Sequence, residues 1–309
     1  MKSQTAAETI AQVIEWRPVL SDVLKAFEPV LTAQEELITP LTKALKAAGF
    51  TLPAVEAERT AAGASLLAGV NLAPLEDALQ QSAKTILPLL TAMQNIAEHG
   101  KALTGFFTAK GNTVKYAEAM LSGNAKSATA LAASHNLEPA LLDFAANFVI
   151  APVLRAAVIQ STGGKEKAAW DEGSLWQHGY CPVCGTPPTI SWLNKPELDE
   201  KNAYLAGGGG KKHLHCGLCG ADWQFKRGSC PACNEEGNGV IETLRESGVA
   251  HGERIDWCTK CKTYCPTVDL REREFIPNLD ALAMGMIHLD MVAERKQLRP
   301  LKHSFWNTF

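Results

Sequence analysis

Cys181-Pro182-Val183-Cys184, Cys216-Gly217-Leu218-Cys219, Cys230-Pro231-Ala232-Cys233 and Cys258-Thr259-Lys260-Cys261 occupy one 81-residue stretch of the sequence. Two residues between cysteines let a single tight turn present both thiolates to one tetrahedral ion. Two such pairs therefore complete a four-cysteine site, and four pairs complete two. The candidate metal ligands are thus Cys181, Cys184, Cys216, Cys219, Cys230, Cys233, Cys258 and Cys261. Four pairs allow three pairings. Gly185 and Gly220 follow the second cysteine of the first two knuckles, whereas Asn234 and Lys262 take that place in the last two. That position favours a positive φ, which suits Gly, is tolerated by Asn and strains Lys. The shared glycine groups the first knuckle with the second and the third with the fourth. Loop entropy mildly favours a nested alternative that joins the second and third.

Four thiolates per ion leave no position open for water or substrate, so both sites read as closed rather than hydrolytic. An all-sulfur shell suits zinc and iron alike. Iron would make each site rubredoxin-like and able to pass one electron, and zinc would make it structural. The ninth cysteine, Cys265, lacks a CxxC partner and reads as a buried free thiol.

Working outward, the 309 residues carry 30 Lys+Arg, 33 Asp+Glu and 46% hydrophobic residues, which allows a sizeable core and excludes a disordered or collagen-like chain. A formal charge of -3 gives no electrostatic reason to expect nucleic acid or an anionic membrane as a partner. From residue 173 onward basic and acidic side chains balance at 16 each, and filling both sites with divalent ions adds a net -4. Lys211-Lys212 and Lys226-Arg227 are then expected to offset sulfur charge rather than track phosphates. No nucleophile motif surrounds His178, His251 or His288, so no enzyme is expected. His213 and His215 flank the second knuckle and read as neighbours of a filled site. Trp170, Trp176, Trp192, Trp223 and Trp257 read as core filling for a small domain.

All nine cysteines lie between Cys181 and Cys265. Met1 to Ile10 has no apolar signal-peptide core, so a cytoplasmic location is expected, where clustered thiols bind metal before they form disulfides. Residues 1–165 are Ala- and Leu-rich with helical periodicity, and predict an α-helical domain. Leu75 to His99 reads as one helix kinked at Pro88 and stopped at Gly100. A second helix spans Glu138 to Gln160 and ends at Gly163-Gly164. Shorter ones are expected at Thr5 to Glu15, Ser21 to Gly49, Thr113 to Leu121 and Ala125 to Ser134. Leu141 to Ile159 is the most apolar stretch, but Asp143, Asn147, Pro152 and Arg155 make it poor membrane-spanning material and mark it as a buried helix. Residues 166–267 have the texture of small hairpins, with Thr189 to Leu193 as a strand and Gly207 to Gly210 as a hairpin tip. Residues 268–309 return to a helix over Leu279 to Arg299, through Leu282, Met286, Leu289 and Val292. The fold class is α+β. Replacing Cys181 or Cys258 is expected to loosen the metal region and spare most of the helix content.

Gly179-Tyr180-Cys181-Pro182-Val183-Cys184-Gly185-Thr186-Pro187-Pro188, then Leu214-His215-Cys216-Gly217-Leu218-Cys219 with Trp223, Arg227, Cys230 and Cys233, and finally Cys258, Cys261 and Tyr264, resemble the FdhE family of formate dehydrogenase accessory proteins. The similarity is close over about a hundred residues and extends in texture to Phe144 to Ala157, while Cys265 departs from the pattern. The resemblance implies an α-helical N-terminal domain and a tandem rubredoxin-like, or zinc-ribbon-like, C-terminal domain whose eight paired cysteines hold two iron ions, with zinc as the alternative. It further implies a non-enzymatic cytoplasmic maturation factor that binds the catalytic subunit of a respiratory molybdenum formate dehydrogenase. Neither nucleic acid nor a membrane span is expected, and self-association would give a homodimer. Two other classes compete: a redox-active rubredoxin-like electron carrier, and a nucleic-acid-binding zinc ribbon, which the charge balance disfavours.

Overall fold

The computed structural model describes residues 2–163, 168–171, 175–195, 210–304 and 306–307. Gly164 and Gly207 to Gly209, expected to end a helix and to form a hairpin tip, lie outside them.

The alanine- and leucine-rich half folds into helices α1 (Ala6–Trp16), α2 (Ser21–Ala47), α3 (Ala57–Ala61), α4 (Glu76–Thr91), α5 (Gln94–Ala97), α6 (Gly100–Thr108), α7 (Asn112–Leu121), α8 (Ala125–Ser134) and α9 (Pro139–Thr162). Thr5 opens α1 with a reciprocal capping box to Glu8. Gly163 closes α9 in the left-handed conformation. α9 is the central helix: α2 and α4 pack along it, and Leu142, Val149, Ile150, Val153 and Leu154 are buried. By length and composition α9 could cross a membrane, yet 72% of its most apolar window is buried inside the protein. An apolar helix wrapped by other helices needs no lipid.

The single helix expected over Leu75 to His99 is divided. Pro88 is accommodated within α4, and the chain leaves helical geometry at Met93, whose ψ of 129° is extended. Gly100 then starts α6 rather than ending a helix, because Leu103, Phe106 and Phe107 supply a buried face of their own. The terminal helix is likewise split at Met286 into α10 (Leu279–Gly285) and α11 (Ile287–Arg295). Arg299–Pro300 forms a short strand, β7, instead of a last helical turn. α10 packs on α1, where a Cβ on Gly285 would sit 2.8 Å from Val13 Cγ1. Only glycine permits that approach.

The cysteine-rich half forms β1 (Ile190–Leu193), β2 (Lys212–His215), β3 (Asp222–Phe225), β4 (Ile241–Leu244), β5 (Glu253–Cys258) and β6 (Thr263–Asp269), in the sheet order β3-β2-β1-β6-β5-β4 with β7 on β6. Two three-stranded antiparallel ribbons are visible in this order, β1 to β3 and β4 to β6. Each has a knuckle before its first strand and another in the hairpin between its second and third. The same unit is thus used twice. The ribbons join through a parallel pairing of β1 with β6, where the Ser191 and Thr267 hydroxyls meet at 2.7 Å in the interior. Lys212 of β2 crosses the junction to Asp256 of β5 at 2.8 Å, with side-chain exposures of 3% and 7%. Burial opposes the Asp256 charge, but Lys212 and Arg254 outweigh it and hold its pKa down at about 2. Lys212 therefore neutralises a buried carboxylate, not sulfur as the sequence suggested. Lys226, 2.5 Å from Glu236, does the same at the surface.

Candidate metal centres

Each knuckle is built by the same turn. The amide after the second cysteine donates to the carbonyl of the first: Gly185 to Cys181 at 2.9 Å, Gly220 to Cys216 at 2.8 Å, Asn234 to Cys230 at 3.0 Å and Lys262 to Cys258 at 2.9 Å. Closing that turn requires the left-handed region, and the four residues have φ of 76°, 70°, 60° and 61°. Lys262 accepts the strained conformation that glycine would take freely.

The turns bring the eight sulfurs into two groups, Cys181, Cys184, Cys216 and Cys219, and Cys230, Cys233, Cys258 and Cys261; within each group the sulfurs lie within 4.8 Å of one another. Knuckles pair sequentially, as the glycine pattern indicated. In the first group Cys181 and Cys219 Sγ are 3.4 Å apart, as are Cys184 and Cys216; in the second, Cys230 and Cys261 are 3.6 Å apart and Cys233 and Cys258 3.8 Å. A disulfide would need about 2.05 Å, so none of these pairs is bonded. Four sulfurs at about 2.3 Å from a common tetrahedral centre stand about 3.8 Å apart, which the observed separations approach. The donor set and its spacing fit a soft metal ion in each group.

Burial pushes the Cys181 and Cys219 thiols well up. It acts on Cys216 too, but hydrogen bonds from the three neighbouring sulfurs outweigh it and hold Cys216 well below the ordinary thiol range. A bound cation would favour the thiolate form of all four sulfurs.

The first cage is seated in the helical core. Leu66 and Leu67 amides donate to Pro182 and Val183 carbonyls at 2.8 and 2.9 Å, and Tyr180 Oη donates to Gly63 O at 2.8 Å. The Thr186 hydroxyl lies 3.1 Å from Cys184 Sγ and 3.2 Å from Cys216 Sγ, placed to donate to thiolates. Arg155 of α9 donates to Gly217 O in the second knuckle and pairs with Asp280 at 2.8 Å. Asp280 also faces His215, whose Nδ1 is 3.0 Å from Asp222. Burial works against a charge on His215, yet Asp222 and Asp280 outweigh it and push its pKa up to about 10. His215 is buried beside the cage and belongs to neither sulfur group. His213 stacks on Trp192 with centroids 4.2 Å apart. Trp223 is fully buried and donates to His178 O at 3.1 Å, which makes it core, as expected. Cys265 is buried outside both groups, its pKa pushed up to about 12 by burial, as a free thiol should be.

Thr186, Arg155 and Asp280 are the site residues that sequence reasoning did not single out for this role. Arg155 did carry a signal: Ala151 and Ile159, four residues to either side of it on the helix, are apolar, so its partner had to come from elsewhere in the chain.

No protein-family model matches the chain. Among curated proteins it is similar to an FdhE homolog of Aquifex aeolicus (28% identity over 135 residues, 43% of this chain and 44% of that one) and to protein FdhE of Escherichia coli K12 (28% over 134 residues, 43% and 37%). An FdhE homolog of Shewanella baltica is 27% identical over 124 residues, 40% of this chain and 36% of that one. The match spans less than half the length of each of these relatives. Among solved structures, the crystal structure of the FdhE protein from Pseudomonas aeruginosa superposes with a TM-score of 0.63 at 21% identity, covering 96% of this chain and 92% of the other. That likeness establishes a common fold. The curated relatives add a sequence similarity to FdhE proteins over part of the chain.

Proposed function

We propose that this chain is a cytoplasmic accessory protein for the maturation of a respiratory, molybdenum-containing formate dehydrogenase. It is not itself an enzyme, it binds the catalytic subunit of that client, and each of its two sulfur cages holds an iron ion. The observation that carries this reading is the pair of four-sulfur groups, each with all its donors already committed, in a fold shared with an FdhE protein over nearly the whole chain. Cys181, Cys184, Cys216 and Cys219 would hold one ion, and Cys230, Cys233, Cys258 and Cys261 the other. Iron in such a shell supplies a one-electron couple as well as a cross-link, whereas zinc supplies the cross-link alone. The choice of iron rests on the family resemblance. This chain's own residues do the rest: the knuckle turns orient the sulfurs, and Thr186 and the backbone amides donate toward them. Arg155 fixes the first cage to the helices.

The test is an anaerobic pull-down with the full chain as bait and a formate dehydrogenase catalytic subunit as prey, beside the same chain carrying Cys258→Ala. The expected outcome is capture by the unaltered chain and a loss of about tenfold or more on substitution, the scale of effects at metal-supporting residues. Absence of capture by both would contradict the client assignment.

A further inference from the structure

The two cages differ in ways the repeat of their sequence motif does not predict. In the first, Cys181, Cys184, Cys216 and Cys219 are at most 1% exposed, and all four belong to the main hydrophobic core. In the second, Cys230 and Cys258 are 1% exposed, but Cys233 is exposed and Cys261 half-buried. The second cage rests on a small apolar cluster of its own, Val240 and Ile241 with the cysteines themselves. The third knuckle is covered by the rest of the protein on one side: Pro231 lies so close to Gly179 that a Cβ there would fall 1.9 Å from the Pro231 carbonyl oxygen. On the other side Ala232 to Gly239 run along the surface, all of them exposed.

We propose that the second cage is an exchange centre, which admits an external soft donor such as a thiolate by displacement of Cys233, and that the first is a permanent structural clamp. The proposal rests on metal occupancy of both cages. Reaching a sulfur of the first cage requires opening the core that holds Leu66, Leu67 and Arg155 against the knuckles. Reaching Cys233 requires opening only a surface turn, and local openings of that kind are far more frequent than sub-global ones. The step is a ligand substitution: Cys233 Sγ gives up its bond to the ion, the incoming thiolate forms one, and the released sulfur takes a proton from water. No electrons are transferred and no oxidant is needed. Cys230 and Cys258, buried behind, retain their hold and keep the turn in place for return.

The experiment uses the full chain loaded with zinc and first counted for bound ion, then mixed with excess 2,3-dimercaptopropanol. Remaining zinc is measured after rapid desalting at successive times, and freed cysteines are trapped with iodoacetamide and located by peptide mapping. One ion is expected to leave about 100-fold faster than the other. Label should appear first at Cys233, then at Cys230, Cys258 and Cys261, before any at Cys181 to Cys219. Release of both ions in one phase, or first label in the buried cage, would overturn the proposal and leave the metal assignment standing. Fewer than two ions at the outset would overturn both.

Discussion

Cys181→Ala is expected to lower the midpoint of thermal unfolding by roughly 10 °C, and to do so in the helical signal, not only in the cysteine-rich half. Its sulfur is completely buried and forms one corner of a cage whose neighbours Pro182 and Val183 accept hydrogen bonds from Leu66 and Leu67, ahead of α4. Losing one ligand forfeits most of an ion's contribution to folding, and apparent binding energies of structural zinc are about 10–16 kcal/mol in small peptides. Three buried sulfurs would remain with no cation to face. A loss of about 4 kcal/mol or more follows, in the class reserved for removal of a metal site. Cys258→Ala is the internal comparison. It should release one ion as well, but the cluster around it is small and separate from the helical core, so the helical transition should move by only about 2–3 °C. Sequence spacing alone treats Cys181 and Cys258 as equivalent and expects the helices to be spared in both cases. The structure separates them, and circular dichroism melting of the two variants side by side checks the difference. Equal shifts would contradict the seating of the first cage in the helical core.

The second large effect is expected at Arg155. Replacing it with Leu removes the partner of Asp280 and the donor to Gly217 O, with side-chain exposures of 11% for Arg155 and 15% for Asp280. Breaking a buried pair by deleting one member costs about 3–5 kcal/mol, because the other charge is left behind. His215 still faces Asp280 at 3.5 Å and takes up part of that charge, so a value of about 3 kcal/mol is expected. Arg155→Lys keeps the charge but not the fork that reaches both partners, and should recover less than half of the loss. The double variant Arg155→Leu/Asp280→Asn removes the orphaned charge and should be more stable than Arg155→Leu alone. Denaturant unfolding of the unaltered chain, Arg155→Leu, Asp280→Asn and the double variant measures this coupling directly, and strict additivity would show that the pair contributes nothing as a pair.

What the sequence disclosed and what it withheld follow from the range of the interactions. The knuckles are local: two residues between cysteines and a left-handed residue after them define a turn, and all four appear as the spacing requires. Gly185 and Gly220 even indicated which knuckles belong together. Helix α9 was legible because Leu141, Ala145, Phe148, Val149, Pro152, Ala156 and Ile159 recur at three- and four-residue steps. Other features depend on residues far apart in the chain. The parallel pairing of β1 with β6 brings Ser191 to Thr267, and the Lys212–Asp256 pair spans 44 positions, so no local pattern announces either. Met93 and Met286 interrupt helices whose apolar periodicity runs on without a break, because packing against neighbours, not propensity, decides where the chain turns. The difference in exposure between the cages is of the same kind: the motif repeats, and only the surrounding core distinguishes the copies.

The most direct measurement is X-ray absorption at the metal edge, combined with an ion count, on the full chain prepared without oxygen. Two ions per chain, each with four sulfur neighbours at about 2.3 Å, is the predicted result. A single ion, a shell containing nitrogen or oxygen, or cysteine sulfurs joined to one another at about 2.05 Å would contradict it.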